Sequence, residues 1–184
     1  MSKTITNIFN LEYYPEEIEN NIIQNNRHTI IDNINTLNTL IEEALITNNN
    51  RALHLGIINE KIILKIKNKI KNLPKDKEDY LKEYSYDLVI NRSEIRHLKD
   101  DKVRLSSIDI YRYVERLPSI IIDFDEVSYS KQKEEGLRFE KKFSDGTYYC
   151  VILVSNKKHT LTVKTIYMKK SDFEAQKKKH ISTE

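Results

Sequence analysis

From Pro15 onward, apolar residues recur at Ile18, Ile22, Ile30, Ile34, Leu37, Ile41 and Leu45, in steps of mostly three and four. That spacing predicts a helix with one apolar stripe, ended by "TNNNR". A second stretch with Leu53, Ile57, Ile58, Ile62, Ile66, Ile70 and Leu73 reads as another helix, stopped at "LPKDKED" because Pro74 cannot continue it. Two helices joined by a short Asn-rich turn predict an antiparallel hairpin in which each covers the other's stripe. His28 and His54 are expected to line its helix faces.

After the charged linker "LPKDKEDYLKEY" the period changes. "YDLVI" reads as a short strand, and Ser93 is placed to cap the helix "SEIRHL". "LSSIDIYRYVERLP" reads as a further helix, with Ser106 or Ser107 at its start and Pro118 past its end. Its apolar positions Ile108, Tyr111, Val114 and Leu117 share a face. Three strands follow. "LRFEKKF" leads into the hairpin signal "SDG", where Gly146 can take positive φ. "TYYCVILV" is apolar through its middle, as a central strand covered on both faces would be. "TLTVKTIYM" alternates Leu161, Val163, Thr165 and Tyr167 against Thr162, Lys164 and Ile166. Consecutive strands make an antiparallel meander the economical arrangement. The predicted class is α+β: a helical hairpin over residues 1–79, short helices packed on an antiparallel sheet over 80–170, and a basic polar tail over 171–184.

Composition supports a folded chain, with 39% hydrophobic and 32% charged residues among 184. No apolar run approaches the ~18 residues that would span a bilayer, and "MSKTITNIFN" lacks a signal-peptide layout, so a soluble cytoplasmic protein is expected. The single Cys150 leaves no internal disulfide and no multi-cysteine metal site. The net charge of +3 is uneven: residues 1–79 carry 10 Lys+Arg against 11 Asp+Glu, and residues 80–184 carry 21 against 17. The positive excess in the second half leans toward an anionic partner such as nucleic acid.

Phosphate-loop, dinucleotide, zincin and nucleophile-elbow motifs are all missing, and the five histidines have no metal-ligand spacing. No metal and no cofactor is expected. One helix-borne histidine followed by strands rich in Lys, Arg, Thr and Tyr suits RNA cleavage. Histidine moves protons near neutral pH, cations stabilise the phosphorane, and hydroxyl groups fix the phosphate. The same residues serve equally as packing and solvent-facing positions in many small α+β proteins. Tyr111, Tyr113, Tyr148 and Tyr149 fit either base stacking or core packing.

Taken in order, "SEIRHL", "ERLPSIIIDFDEVSYS", "GLRFEKKFSDGTYYCVILVS" and "TLTVKTIYMKK" resemble the phage-associated nuclease domains of the Barnase/EndoU/colicin/RelE-like (BECR) superfamily, over roughly Asp87 to Lys170. The resemblance implies a metal-independent endoribonuclease of phage or toxin type, acting on RNA in a bacterial host cell. It implies His97 as general acid or base, and Arg138, Lys142 and Lys141 as cations on the strand before the turn. It further implies Thr165 as a phosphate ligand and Tyr167 as a base stacker or proton donor, with Lys164 and Arg104 as further substrate contacts. Alternation puts Arg138 and Lys142 on one face and Lys141 on the other.

Family members often carry a second histidine soon after the first. Here "KDDKVR" follows, which leaves open both substitution by Lys99, Lys102 or Arg104 and a copy without activity. In the second case the domain would be a binding module that inhibits a host or defence protein, or a structural phage component. In either case the helical hairpin is expected to bind a host or phage protein or a neighbouring subunit.

Overall fold

The computed structural model describes residue 42 and residues 52–100, 107–131 and 135–181. Apart from residue 42, the first arm of the expected hairpin therefore lies outside the described residues. Its second arm is replaced from the start by β1 (Ala52–Ile58), and helix appears only at α1 (Glu60–Lys67). The break is local: the Asn59 side chain accepts a hydrogen bond from the Ile62 N–H at 3.0 Å, capping α1 directly after the strand. β2 (Ile70–Lys71) follows, so the chain before residue 80 supplies two strands as well as a helix. His54 belongs to β1 rather than to a helix face.

The remaining elements are β3 (Tyr86–Asn91), α2 (Arg92–Asp100), α3 (Ser107–Ile122), β4 (Glu126–Ser130), β5 (Gly136–Phe143), β6 (Gly146–Ser155), β7 (Thr160–Met168) and α4 (Lys170–Ile181). Among the described residues seven strands form one sheet in the order β1-β3-β7-β6-β5-β4-β2. The α+β class and the β5-β6-β7 meander match the sequence reading. The sheet is mixed rather than wholly antiparallel, because β3 runs parallel to β7 and β2 parallel to β4.

One face of the sheet carries the core. Leu88 and Ile90 of β3, Leu137 and Phe139 of β5, Tyr148, Cys150 and Ile152 of β6, and Val163 and Ile166 of β7 are buried against Val114, Leu117, Ile120 and Ile121 of α3. Burial pushes the Cys150 thiol well above its ordinary pKa, consistent with a packing role. β6 is central, but Tyr149, Val151 and Leu153 on its second face are only half-buried, so it is not covered equally on both sides.

Two local expectations shift. α2 begins at Arg92, directly after β3, which puts Ser93 inside its first turn rather than at its cap. α3 runs through Pro118 to Ile122. An interior proline costs a helix about 3 kcal/mol. Burying Ile120 and Ile121, both 0% exposed, contributes about 1.5–3 kcal/mol each, enough to offset that cost. Within the basic tail, residues up to Ile181 belong to α4.

Candidate nucleic-acid interface

Because strand side chains alternate, burying Leu137 and Phe139 turns Arg138, Glu140 and Lys142 to the opposite face. Strand pairing extends these positions into two rows. Ser128, Arg138, Val151 and Thr165 lie side by side on β4, β5, β6 and β7, and next to them run Glu126, Glu140, Tyr149 and Tyr167. Directly opposed Cβ atoms in antiparallel pairs stand about 4.5–5.5 Å apart, so each row is a contact series.

Tyr149 and Tyr167 stack with ring centroids 5.2 Å apart and planes 29° from parallel. The Arg138 guanidinium lies 5.3 Å from the Tyr149 centroid. Burial, and secondarily the Glu140 carboxylate beside it, holds the Tyr149 hydroxyl above its ordinary pKa, so at neutral pH it is a neutral donor. The face thus presents a cation, a carboxylate, an aromatic pair and the Thr165 hydroxyl within two neighbouring rows. Such a set of groups has the chemistry to hold a phosphate, to stack a base and to take up a proton.

Thr165 and Tyr167 reach this face through an irregularity. Val151 pairs with Thr165 and Ile152 with Val163, leaving Lys164 as an extra residue in β7. The bulge breaks the expected strict alternation: Leu161, Val163, Ile166 and Met168 are all buried, whereas Thr165 and Tyr167 are half-exposed. Lys164 itself is not a free phosphate contact. Its Nζ lies 3.0 Å from Glu94 Oε1 on α2, and this pair docks the helix against the last strand.

His97 sits one turn beyond that contact and is exposed. On an α-helix it is displaced from Glu94 by about 60° and ~4.5 Å along the axis, and from Ile95 by about 160°. Ile95 is buried, 1% exposed, so His97 turns away from the core on the side of the Glu94–Lys164 contact.

Arg138, Thr165 and Tyr167 therefore share one face of the sheet, and His97 lies on α2, whose Glu94 pairs with Lys164 of β7. Lys142 lies on the same face one pair beyond Glu140, exposed and opposite Thr147. Lys141 points to the other face, where Asp123 and Asp125 bind its ammonium at 2.9 and 3.3 Å. These contacts tie β5 to the α3–β4 loop and occupy the charge expected to meet substrate. Arg104 lies outside the described residues. Of the candidate stacking tyrosines, Tyr113 and Tyr148 are core residues and Tyr149 faces outward. In the sequence Glu140 reads as one more charge in "EKK". The signal that could have found it is its alternation with Arg138 and Lys142.

Among the described residues no group of three His, Cys, Asp or Glu side chains is arranged to hold a metal ion. No helix among them is long and apolar enough to cross a membrane.

Comparison with known families gives one finding. The model of the family described as phage-Barnase-EndoU-ColicinE5/D-RelE like nuclease3 matches residues 61–179, well over half of the chain and the whole of both rows. No curated protein and no solved structure matches.

Proposed function

The chain belongs to the phage-Barnase-EndoU-ColicinE5/D-RelE like nuclease3 family, and from that premise we propose that it is an endoribonuclease that cleaves single-stranded RNA by transesterification without a metal. The observation that carries this reading is the convergence of Arg138, Glu140, Tyr149, Thr165 and Tyr167 in two adjacent cross-strand rows.

In the proposed mechanism an unpaired base stacks on the Tyr149–Tyr167 pair, which places the adjoining phosphate near Arg138. Glu140 takes the proton of the 2′-hydroxyl as its oxygen attacks phosphorus. The phosphorane's negative charge falls to the Arg138 guanidinium and the Thr165 hydroxyl. His97, delivered by α2, protonates the departing 5′-oxygen, and the P–O5′ bond breaks to leave a 2′,3′-cyclic phosphate and a 5′-hydroxyl. A carboxylate base and a histidine acid complete the proton circuit without a second histidine near "KDDKVR". Lys142 holds the phosphate backbone beyond the reacting group.

Incubation of the purified chain with single-stranded RNA in EDTA tests this. The expected products end in cyclic phosphate, and an oligonucleotide carrying a single 2′-deoxy position at the scissile linkage stays intact there. Cleavage of the deoxy linkage, or no cleavage of RNA at all, would overturn the mechanism.

A further inference from the structure

The turn between β6 and β7 carries a histidine that the proposed mechanism does not use. His159 has φ of 52°, in the left-handed region that costs a side-chain-bearing residue about 1–2 kcal/mol and that glycine enters freely. Its exposed imidazole stacks on the Tyr84 ring at 4.0 Å and 18°, and Tyr84 stacks on Tyr86 at 4.8 Å and 28°.

The lower part of this ladder is fixed. Tyr86 is 1% exposed; its hydroxyl donates to Asn156 Oδ1 at 2.6 Å and accepts from the Lys82 N–H at 2.9 Å. The Tyr84 hydroxyl donates to the Asn156 carbonyl at 2.9 Å. The Asn156 amide in turn donates to the carbonyls of Asp79 and Tyr80 at 3.3 and 3.2 Å. Among the described residues the ring contacts of His159 are with Tyr84 and Tyr86, and Lys157 and Lys158 of the same turn are exposed.

An exposed ring gains little from burial, and glycine would make the same turn without strain. The histidine is thus held at a backbone cost on a rigid two-tyrosine support. A pre-organised aromatic face flanked by lysines is what a single-stranded nucleic acid uses as a stacking step.

We infer that His159, supported by Tyr84 and flanked by Lys157 and Lys158, is a second nucleobase-stacking subsite for single-stranded RNA. The inference rests on the RNA reading of the open face. β7 leads from Thr160, next to His159, to Tyr167, seven residues on, a span of roughly 23 Å at ~3.3 Å per residue. Only an RNA several nucleotides long reaches both places.

The test compares anisotropy titrations of the full chain with 2′-O-methyl RNA 12-mers, and cleavage of a dinucleotide, for wild type, His159→Gly and His159→Phe. His159→Gly is expected to bind the 12-mer roughly tenfold more weakly, as removal of one stacked base implies. His159→Phe should stay near wild type, and dinucleotide cleavage should be unchanged in both. Glycine suits the left-handed position, so melting of His159→Gly at or above the wild-type temperature separates weakened binding from a damaged fold.

Lys157→Ala/Lys158→Ala provides a second reading. Its slope of log K against log salt should be shallower by about 0.7 for each phosphate that the lysines no longer neutralise. Unchanged 12-mer affinity in His159→Gly, or an unchanged salt slope in the lysine variant, overturns the subsite alone. A wild-type chain that binds no RNA overturns the open-face reading and the subsite together.

Discussion

Tyr149 and Tyr167 are directly opposed on β6 and β7, their rings stack 5.2 Å apart, and the Arg138 guanidinium lies 5.3 Å from the Tyr149 centroid. A base lying on this pair would gain about 1–3 kcal/mol. Tyr149→Ala and Tyr167→Ala should each weaken single-stranded RNA binding by roughly five- to a hundredfold, whereas Phe at either position keeps most of the affinity. Anisotropy titration decides. An Ala variant that binds like wild type removes the stack from the interface, and a Phe variant as weak as Ala moves the role to the hydroxyl.

Glu140 and His97 carry the two proton transfers of the proposed reaction. Loss of a positioned acid or base costs about 10²–10⁴ in rate. Single-turnover cleavage by Glu140→Gln and by His97→Ala should each be at least ~100-fold slower, with RNA affinity little changed. Full activity in His97→Ala would remove α2 from the chemistry and leave its docking a structural feature.

The Lys164–Glu94 pair, with side chains 30% and 17% exposed, is partly screened by solvent and contributes at most about 1 kcal/mol to stability. Its larger effect is expected on the rate, because it sets where α2 holds His97. Glu94→Lys or Lys164→Glu alone should slow single-turnover cleavage far more than it lowers the melting temperature. The combined exchange, which restores opposite charges, should recover much of the rate. A double variant no faster than either single one would show that the pair does not position the histidine.

Much of this site is legible in the sequence because the signals involved are local. "SDG" fixes the β5–β6 hairpin, and alternation in "LRFEKKF" puts Arg138 and Lys142 on one face. What is not legible depends on partners distant in the chain. Leu53, Ile57, Ile58 and Ile62 satisfy a helical stripe, and only pairing of Ala52–Ile58 with Tyr86–Asn91 makes the segment a strand. The bulge at Lys164 is defined by its register against Val151 and Ile152, so no pattern within "TLTVKTIYM" announces it. Pro118 is the opposite case: the local rule that ends a helix at proline gives way to the burial of Ile120 and Ile121.

Alkaline pH should unfold the chain through its buried tyrosines. Burial raises the pKa of Tyr86 and Tyr148 well above the ordinary value near 10, and that of Tyr80 to about 12. The folded state therefore holds these protons more tightly than the unfolded state does. Their contribution is fully present below about pH 10 and is lost as pH rises toward the folded values. Phenolate absorbance and circular dichroism followed together should change in one cooperative step. Tyrosines that all ionise near pH 10 while the dichroism stays native would contradict the burial of Tyr86 and Tyr148.

Gly146 closes the β5–β6 hairpin with φ of +146°, and a Cβ there would stand 2.9 Å from the Asp172 Cβ and 3.3 Å from both Asp172 Oδ2 and Met168 Sδ. Asp172 Oδ2 accepts the Thr147 N–H at 2.9 Å, and this bond holds the Asp172 carboxyl below its ordinary pKa while fastening α4 to the sheet. Gly146→Ala therefore combines backbone strain of about 1–2 kcal/mol with displacement of the hydrogen bond between the Thr147 N–H and Asp172. The strain alone should lower the melting temperature by roughly 2–8 °C for a chain of this size, and loss of the Asp172 bond adds to that. Asp172→Ala alone should reproduce the hydrogen-bond part, so the double variant should fall short of the sum of the two single losses. Strict additivity would mean that Gly146 acts through its backbone conformation only, and an unchanged melting temperature in Gly146→Ala would rule out both contributions.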